Sequence, residues 1–247
     1  MPTIAIILGR AGSKGVPGKN TRIIANKPCV AWTIEHALRS KTVNHVVVSS
    51  DDPNMLAIAK SKGALPMQRP PDLATDTARV DDAARHAALE AAAHFRHQGP
   101  DRAKINLVIL YANVPVRPDD LTDRAVTLLQ SSKCDSVQSY QPVGKYHPWW
   151  IARVDNKSGQ VAPWEGDVLN HNVFRRQDLP PAHIPDGGVI AVTWNSLFCA
   201  IPKAQPGPHQ FFGVDRRGVL NPEGSVIDID RPEDVLVAEA ILRSTIG

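Results

Sequence analysis

Residues 9–20 combine glycines with positive charges in a pattern that suits phosphate binding. Their sequence, GRAGSKGVPGKN, holds four glycines together with Arg10, Lys14 and Lys19. Glycines let the backbone turn tightly and present N–H groups to phosphate oxygens, and the cations can stabilise the charge that develops on departing pyrophosphate. The segment therefore predicts a phosphate-binding loop in an enzyme that uses a nucleoside triphosphate. The alternative is a solvated basic turn.

The position of this loop favours phosphate binding over the solvated turn. It follows Ile4–Leu8, a short apolar run that is typical of a buried parallel strand. The loop is not a Walker A motif, because its last Gly-Lys pair is followed by Asn20 rather than Ser or Thr. It is not the dinucleotide-binding fingerprint either, because cations replace the neutral spacers of that motif.

Apolar runs and amphipathic segments alternate along most of the chain. Further strands are predicted at His45–Ser49, Ile105–Leu110, Val189–Thr193 and Val226–Asp230. Helices are predicted at Cys29–Ser40, Pro53–Gly63, Asp81–Arg96, Leu121–Gln130 and Pro232–Ser244. This alternation predicts an α/β fold with a doubly wound, mainly parallel sheet and helices on both faces. In such folds ligands bind beyond the carboxyl ends of the strands, which is where the loop after Leu8 lies.

The alternation stops between residues 141 and 188. This stretch contains Trp149, Trp150 and Trp164 together with several prolines, and it has no clear period. We interpret it as an inserted arm within a single domain that spans residues 1–247. Exposed aromatic side chains usually need a partner surface, so a homodimer contact and a flap packed on its own chain are both open.

Composition excludes several classes of function. The chain is 43% hydrophobic and 21% charged, with a net charge of +3, which is ordinary for a folded globular protein. No Lys/Arg run predicts a nucleic-acid partner, and no apolar stretch approaches the roughly 20 residues that span a membrane. The three cysteines form no CxxC pair. Scattered thiols of this kind are typical of the reducing cytoplasm, which is the location we expect.

Several motifs, in order, resemble the cytidylyltransferases that make CMP-activated acidic sugars, such as CMP-sialic acid and CMP-pseudaminic acid synthetases. They are ILGRAGSKGVPGKN at 7–20, VSSDD at 48–52, RPPDLATD at 69–76, FRRQDLP at 174–180 and IDIDRPED at 227–234. The resemblance implies a nucleotide-diphospho-sugar transferase-like fold and Mg2+ (or Mn2+) as cofactor. It implies that the anomeric hydroxyl of a 2-keto sugar acid attacks the α-phosphate of CTP and releases pyrophosphate.

The same resemblance implies roles for residues of the loop and of the C-terminal motif. Arg10, Lys19 and Asp228 are expected to be catalytic. The expected nucleotide-binding residues are Leu8, Gly9, Arg10, Gly12, Ser13, Lys14, Lys19, Asn20 and Asp76. A loop cap is an equal alternative for Asp76.

Asp228 and Asp230 match the metal-binding acids of the family. Alternate residues of a strand point to one face, so both carboxylates can reach one hard cation beside the phosphates. Asp230 has a second interpretation, because it can cap the final helix while Glu233 returns the hydrogen bond.

The acceptor side departs from the family pattern. Arg176 matches an arginine that binds the acidic substrate, with Arg69 and Gln177 expected in the same pocket. Tyr111 stands where the family often has glutamine, Trp150 where sialic-acid enzymes tend to have lysine, and Asp186 where asparagine is common. We expect Tyr111 and Asp186 to face the acceptor. These changes leave two alternatives open: another acceptor, such as a 3-deoxy-octulosonate-type acid or a phosphonate, and a catalytically silent nucleotide-binding protein.

Overall fold

A seven-stranded sheet lies at the centre of the computed structural model, which describes residues 1–12 and 15–246. Its order is β11-β7-β10-β6-β1-β4-β5, with β2 paired to β3 and β8 to β9 outside it. The strands are β1 Thr3–Leu8, β2 Ile23–Ile24, β3 Lys27–Pro28, β4 His45–Ser50, β5 Leu65–Gln68, β6 Asn106–Tyr111, β7 Ser136–Pro142, β8 Ala152–Val154, β9 Val161–Pro163, β10 His183–Thr193 and β11 Arg216–Leu220.

The sheet is mainly parallel, as the sequence predicts. Strand β1 pairs in parallel with β4 and β6, β4 with β5, and β7 with β11. Strand β10 is antiparallel to both of its neighbours, β6 and β7. The carboxyl ends of β1, β4, β5, β6 and β7 therefore meet at one edge of the sheet, where a ligand site is expected.

Helices cover both faces of the sheet, which confirms the doubly wound architecture. One buried cluster joins the sheet to α1, α2 and α4, and the other joins it to α3 and α5. The helices are α1 Cys29–Arg39, α2 Pro53–Ser61, α3 Val80–His94, α4 Leu121–Ser132, α5 Trp194–Leu197 and α6 Pro232–Ile246. Within the described part of the chain, none of these helices is long and apolar enough to cross a bilayer.

Helix α2 begins where the sequence indicates. The carboxylate of Asp52 accepts a hydrogen bond from the N–H of Asn54 at 2.9 Å, and Pro53 occupies the first turn. The Asp52 carboxylate pairs one of the N–H groups that a helix start leaves unpaired, and proline has no N–H to pair. The helix ends at Ser61, two residues before Gly63, whose φ of +83° suits glycine.

The strand predicted at Val226–Asp230 is wrong. This segment makes a single antiparallel bridge, between Ile227 and Val116, and is otherwise irregular. Its buried residues are Val226 and Ile229, three apart rather than two. Val226 packs in the cluster that joins the sheet to α1, α2 and α4, and Ile229 packs in a further buried cluster that includes residues of α6. The buried positions of VIDID therefore do not have the period of a strand.

The chain leaves the sheet at the end of β7, Pro142, and returns to it at the start of β10, His183, so both ends of the 141–188 segment belong to the sheet. Between these strands lie short turns and the small hairpin of β8 and β9. Many of the apolar side chains of the segment are exposed: Tyr146, Ile151, Val154, Val161, Trp164, Val168, Leu169, Phe174 and Ile184. The insertion thus has little core of its own. Its role in a dimer remains a prediction.

Candidate active site

A cavity of about 390 Å³ lies beside the glycine-rich loop, at the carboxyl ends of β1 and β6; we call it the loop cavity. The side chains and backbone that line it include several of the predicted nucleotide-binding residues: Leu8, Gly9, Arg10, Lys19, Asn20 and Asp76. Gly15, Arg69, Arg79, Tyr111, Asn113 and Asp230 complete much of its wall. Of the remaining loop residues, Gly12 is exposed, and Ser13 and Lys14 lie outside the described residues.

The loop is anchored to neighbouring strands by its backbone. The N–H of Gly9 donates to the carbonyl of Ser49 at 3.3 Å, and the N–H of Ala11 donates to the carboxylate of Asp51 at 2.9 Å. Gly15 packs so closely on the carbonyl oxygen of Asp230 that a Cβ at this position would overlap it. Glycine is therefore required there by close approach to the C-terminal motif.

Two basic side chains of the loop are balanced by acids from distant segments. Arg10 pairs with Asp76 at 2.6 Å, and Lys19 pairs with Asp230 at 2.7 Å. The Lys19 side chain is 17% exposed, against 68% for Asp230. An anionic ligand can replace these acids as the partner of either cation, because a polyphosphate offers several oxygens at the same distance.

Asn20 closes the inner wall of the loop cavity. Its side-chain amide donates to the carbonyl of Arg10 at 3.0 Å, which fixes the start of the loop to its end. The backbone carbonyl of Asn20 accepts a hydrogen bond from the N–H of Val30 at 2.8 Å, so the loop is tied to α1. Asn20 Oδ1 is buried and has no hydrogen-bond partner among the described residues. A ligand that donates a hydrogen bond would satisfy it.

Asp228 lies near Asp230, although the segment is not a strand. Backbone hydrogen bonds from Ile227 to Val116 (3.1 Å) and from Ile229 to Asn113 (2.9 Å) hold the segment against the loop after β6. Burial first, and then the charge of Asp230, raise the pKa of Asp228 to about 6. Such a carboxylate is stabilised by a nearby cation. Among residues 1–12 and 15–246, no three His, Cys, Asp or Glu side chains group as metal ligands.

Asn113 is a site residue to which the sequence analysis gave no role. Its side-chain amide donates to a carboxylate oxygen of Asp228 and, at 3.3 Å, to the carbonyl of Ile229. It therefore orients the acid expected to bind metal. The signal was its position two residues after the end of β6, at the ligand-binding edge of the sheet.

The capping expected around Asp230 takes a different form. The N–H groups of Asp230 and Arg231 donate to Asp234 Oδ2 at 3.0 and 2.7 Å. Asp234, rather than Glu233, thus satisfies the backbone at the start of α6, while the Asp230 carboxylate pairs with Lys19. Asp230 is therefore held at the loop cavity.

The expectation that Arg69 shares a pocket with Arg176 and Gln177 is wrong. Arg69 is buried in the wall of the loop cavity, where its guanidinium donates to the Ser49 hydroxyl at 3.1 Å and the Ser49 carbonyl at 2.6 Å. Burial lowers the pKa of Arg69 to about 10. Arg176 and Gln177 are exposed on the 141–188 segment, and Arg176 forms an ion pair with Glu223.

Tyr111, at the end of β6, stands where three cavities meet. It lines the loop cavity and also two further cavities. The first, of about 550 Å³, carries Asp186, Asp228 and Asp234, and we call it the acidic cavity. The second, of about 600 Å³, carries Phe211, Phe212, Arg79, Arg216 and Arg217, and we call it the basic cavity. Burial, and then the charge of Asp228, raise the pKa of the Tyr111 hydroxyl.

Asp186 lines the acidic cavity, but both of its oxygens already accept hydrogen bonds. Oδ1 accepts from the Ser139 hydroxyl and from the N–H of Gly188 at 2.9 Å, and Oδ2 accepts from the Asn221 amide at 2.7 Å. The carboxylate therefore holds the irregular part of β10, where the register with β7 shifts.

Known proteins similar to this chain are enzymes of one kind. A family model described as cytidylyltransferase matches residues 4–101. A CMP-N,N'-diacetyllegionaminic acid synthase of Legionella pneumophila is 35% identical over 244 residues, which cover 98% of this chain and 97% of that protein. A pseudaminic acid cytidylyltransferase of Campylobacter jejuni is 32% identical over 247 residues, covering 98% and 97%.

The chain belongs to the cytidylyltransferase family. It is therefore a nucleotidyltransferase, which confirms the resemblance seen in the motifs. An N-acylneuraminate cytidylyltransferase of Escherichia coli is 45% identical over 245 residues, which cover 96% of this chain and 51% of that protein. The chain thus spans about half the length of that relative.

Two solved structures of other proteins have a similar fold. A CMP:2-keto-3-deoxy-manno-octonic acid synthetase complexed with CTP matches with a TM-score of 0.68 at 15% identity, over 99% of this chain and 100% of that one. A 4-diphosphocytidyl-2C-methyl-D-erythritol synthase matches with a TM-score of 0.66 at 13% identity, over 98% of both chains. At these identities the likeness concerns the fold alone, and it confirms the expected fold class.

Trp150, one of the departures from the family pattern, is structural. Its indole N–H donates to the carbonyl of Val173 at 2.9 Å, which ties two parts of the 141–188 segment together. Tyr111 is the departure that lies at the site itself, because it lines all three cavities. Asp186, the third departure, lines the acidic cavity.

Proposed function

We propose that this protein transfers CMP from CTP to the anomeric hydroxyl of an acidic 2-keto sugar of the sialic-acid-like (nonulosonic) class. The hydroxyl oxygen forms a bond to the α-phosphorus, the bond from that phosphorus to pyrophosphate breaks, and the hydroxyl proton is released. The observation that carries the proposal is the junction at Tyr111, where the loop cavity, with its cations, shares a wall with the basic cavity. The names of the similar enzymes support the choice of acceptor.

The triphosphate would occupy the loop cavity. Arg10 and Lys19 would exchange their present carboxylate partners for phosphate oxygens and stabilise the charge that develops on pyrophosphate. The partnerless Asn20 Oδ1 would accept a hydrogen bond from the nucleoside. Leu8, Gly9, Gly12, Ser13, Lys14 and Asp76 are proposed to complete the nucleotide site, as the family motif implies.

Asp228 and Asp230 would hold the divalent cation, Mg2+ or Mn2+. The residues fit such an ion, because burial first and then the nearby carboxylates raise the pKa of Asp228, and a bound cation would offset that cost of ionisation. Two protein oxygens suffice for Mg2+, which commonly takes its remaining ligands from phosphates and water. The ion supplies charge neutralisation on the triphosphate when bound. Asn113 orients Asp228 for this role.

The acidic sugar would occupy the basic cavity rather than the acidic one. Asp186 and Asp234 in the acidic cavity would repel a carboxylate, whereas the arginines of the basic cavity attract it. Phe211 and Phe212 offer an apolar wall for an acyl substituent. Tyr111 would contact the acceptor at the junction. Arg176, Gln177 and Asp186 do not line the basic cavity, and their contact with the acceptor stays a prediction from the sequence.

A homodimer contact through residues 141–188 is part of the proposal. The segment exposes Phe174 to 86%, Tyr146 to 71% and Trp164 to 56% of their surfaces. Exposed aromatic side chains in this number favour burial against a second surface. Sedimentation of the purified protein, compared with a variant in which Phe174 and Trp164 are replaced by serine, tests this contact. Equal masses for the two, or a monomeric parent protein, would contradict it.

Pyrophosphate release from CTP with a panel of acceptors tests the function. The panel holds a nonulosonic acid, a 3-deoxy-octulosonate-type acid, a phosphonate and a neutral sugar of similar size. We expect release with the nonulosonic acid and none with the neutral sugar. Release with another acid alone would assign the enzyme to that acceptor, and CTP binding without release for any acceptor would support the silent nucleotide-binding alternative.

A further inference from the structure

The loop cavity and the basic cavity share a wall. Ala78, Arg79, Val80 and Tyr111 line both of them. Arg79 is the charged side chain among these four, so it is the cation at the boundary between the proposed triphosphate and the proposed sugar. Arg216 and Arg217 line the basic cavity without lining the loop cavity.

The guanidinium of Arg79 is oriented by its neighbours. Nε and Nη2 donate to the two carboxylate oxygens of Asp81 at 2.9 and 2.7 Å, and Nη2 also donates to the carbonyl of Pro208 at 3.3 Å. The Asp81 side chain is 3% exposed, whereas that of Arg79 is 45% exposed. A buried acid thus fixes one edge of the guanidinium, while the side chain as a whole stays partly exposed and lines both cavities.

Asp81 belongs to a cluster of two acids and two arginines. Arg85 Nη2 also donates to Asp81 Oδ2, at 2.8 Å, and Arg85 Nη1 donates to Asp82. Asp81 is therefore shared between two arginines. Neither of the other two arginines of the basic cavity lines the loop cavity: Arg217 forms a two-bond ion pair with Asp215, and Arg216 donates to the carbonyls of Gly213 and His209.

The chemistry of the acceptor requires a cation at this boundary. In the ring form of a 2-keto sugar acid, the attacking hydroxyl and the carboxylate are attached to the same carbon atom. The carboxylate must then lie within a few ångströms of the reacting oxygen, where the two cavities meet. Nη1 of Arg79 takes part in none of the hydrogen bonds above, so its N–H groups are the donors that can bind this carboxylate.

We propose that Arg79 binds the carboxylate of the acceptor and thereby makes the enzyme specific for 2-keto acids. This inference rests on the proposed function and adds the residue that recognises the acid. Because its guanidinium is held in place before the acceptor arrives, Arg79 would direct the anomeric hydroxyl toward the α-phosphorus.

Substitution of Arg79 tests the proposal on both the enzyme and the acceptor. Arg79→Met and Arg79→Lys are assayed by pyrophosphate release with the acid and with its C1 methyl ester. For Arg79→Met we expect the KM for the acid to rise by about 10- to 100-fold, as loss of a charged hydrogen bond implies, with the KM for CTP unchanged. The preference for acid over ester should fall by a similar factor, and Arg79→Lys should recover part of it.

Arg85→Met is the matched control, because it removes the other partner of Asp81 without altering either cavity wall. It should lower the melting temperature and leave the preference for acid over ester at the parent value. Equal losses of that preference in Arg85→Met and Arg79→Met would overturn the proposal in favour of a structural role for the pair.

The outcomes separate this inference from the proposed function. If the parent protein releases pyrophosphate with the acid and Arg79→Met keeps the parent KM for the acid, the inference fails and the function stands. If the parent protein releases none with any acid, the proposed function fails, and the inference with it. If the ester is inert in every protein, the KM for the acid in Arg79→Met against Arg85→Met decides.

Discussion

The loop cavity and the basic cavity are neighbours, but they are built in different ways. The loop cavity is lined mainly by two stretches, residues 8–20 and 69–83, and the first, which carries both proposed phosphate-binding cations, is anchored to strand ends by its backbone. The basic cavity is assembled from separate stretches that contribute Arg79, Tyr111, Gln138, Pro185 and the pair Phe211–Phe212. Phosphate binding is therefore encoded locally, whereas acceptor binding depends on the tertiary fold.

The two cavities also differ in how their charges are balanced. In the loop cavity, Arg10 and Lys19 each pair with one acid that a polyphosphate can replace. In the basic cavity, Arg79 is held by an acid that is itself buried and shared. Changes in the loop cavity should therefore affect the reaction with every acceptor, and changes around the basic cavity should alter which acceptor is used.

The largest effect is expected for Asp228→Ala. Loss of a carboxylate that would hold the metal ion removes charge stabilisation worth several kcal/mol, so we expect kcat to fall at least about 1,000-fold for all acceptors. Asp101→Ala, which removes an exposed acid paired with Lys104, is the control and should be unaffected. Pyrophosphate release measured over a range of Mg2+ concentrations checks this, and normal turnover in Asp228→Ala would disprove the metal assignment.

A smaller loss is expected for Lys19→Ala. One charged contact to developing charge is worth roughly 2–4 kcal/mol, so kcat/KM should fall about 30- to 1,000-fold. The ratio of rates for different acceptors should stay the same, because the change lies on the nucleotide side. Competition assays with pairs of acceptors measure that ratio, and a change in acceptor preference would contradict the division between the two cavities.

Asp228→Asn should change stability in a pH-dependent way. The folded-state pKa of Asp228 is about 6, above its ordinary value of 3.8, so ionisation of Asp228 costs folding free energy. The metal-free parent protein should lose stability as pH rises from about 4 to about 6 on account of this group. Asp228→Asn should then be more stable than the parent by roughly 1–3 kcal/mol at pH 8, with the difference vanishing near pH 4.

Urea unfolding at pH 4, 6 and 8 without divalent cations measures this difference. Added Mg2+ should reduce the gap at pH 8 by stabilising the parent protein selectively. A gap that is independent of pH would show that the acid is not destabilised by its surroundings.

The smallest effect is expected for Tyr111→Phe. Removal of one hydroxyl at the junction should raise the KM for the acceptor by about 10-fold or less and leave the KM for CTP within error. Tyr111→Gln, which introduces the residue common in the family, should move the acceptor preference toward sialic acid. Steady-state kinetics with two nonulosonic acids check both variants. Equal changes in the KM for the acceptor and the KM for CTP would contradict a role of Tyr111 on the acceptor side alone.

The same contrast explains which features could be predicted from sequence. The first strand and the start of α2 depend on residues that are neighbours in sequence, as Asp52 and Pro53 are for α2, and these two predictions agree with the structure. Strand β11 escaped prediction because only Val219 of its five residues is buried, as is usual at a sheet edge.

The acceptor side was harder to predict because its contacts join distant parts of the chain. The sequence predicts Arg69 in the acceptor pocket, yet its hydrogen bonds to Ser49 hold it in the wall of the loop cavity. Asn113 and Arg79 carry no motif, and their positions become informative only when the ends of β6 and the start of α3 are brought together. Spacing in sequence does not contain that information.

The fate of the α-phosphate of CTP tests the central claim most directly. The protein is incubated with a nonulosonic acid and CTP labelled at either the α- or the γ-phosphorus, and the products are separated. Label from the α-position should appear in the sugar product, and label from the γ-position should remain in pyrophosphate. Transfer of γ-label to the sugar, or label in free CMP with no labelled sugar, would contradict the proposed cytidylyl transfer.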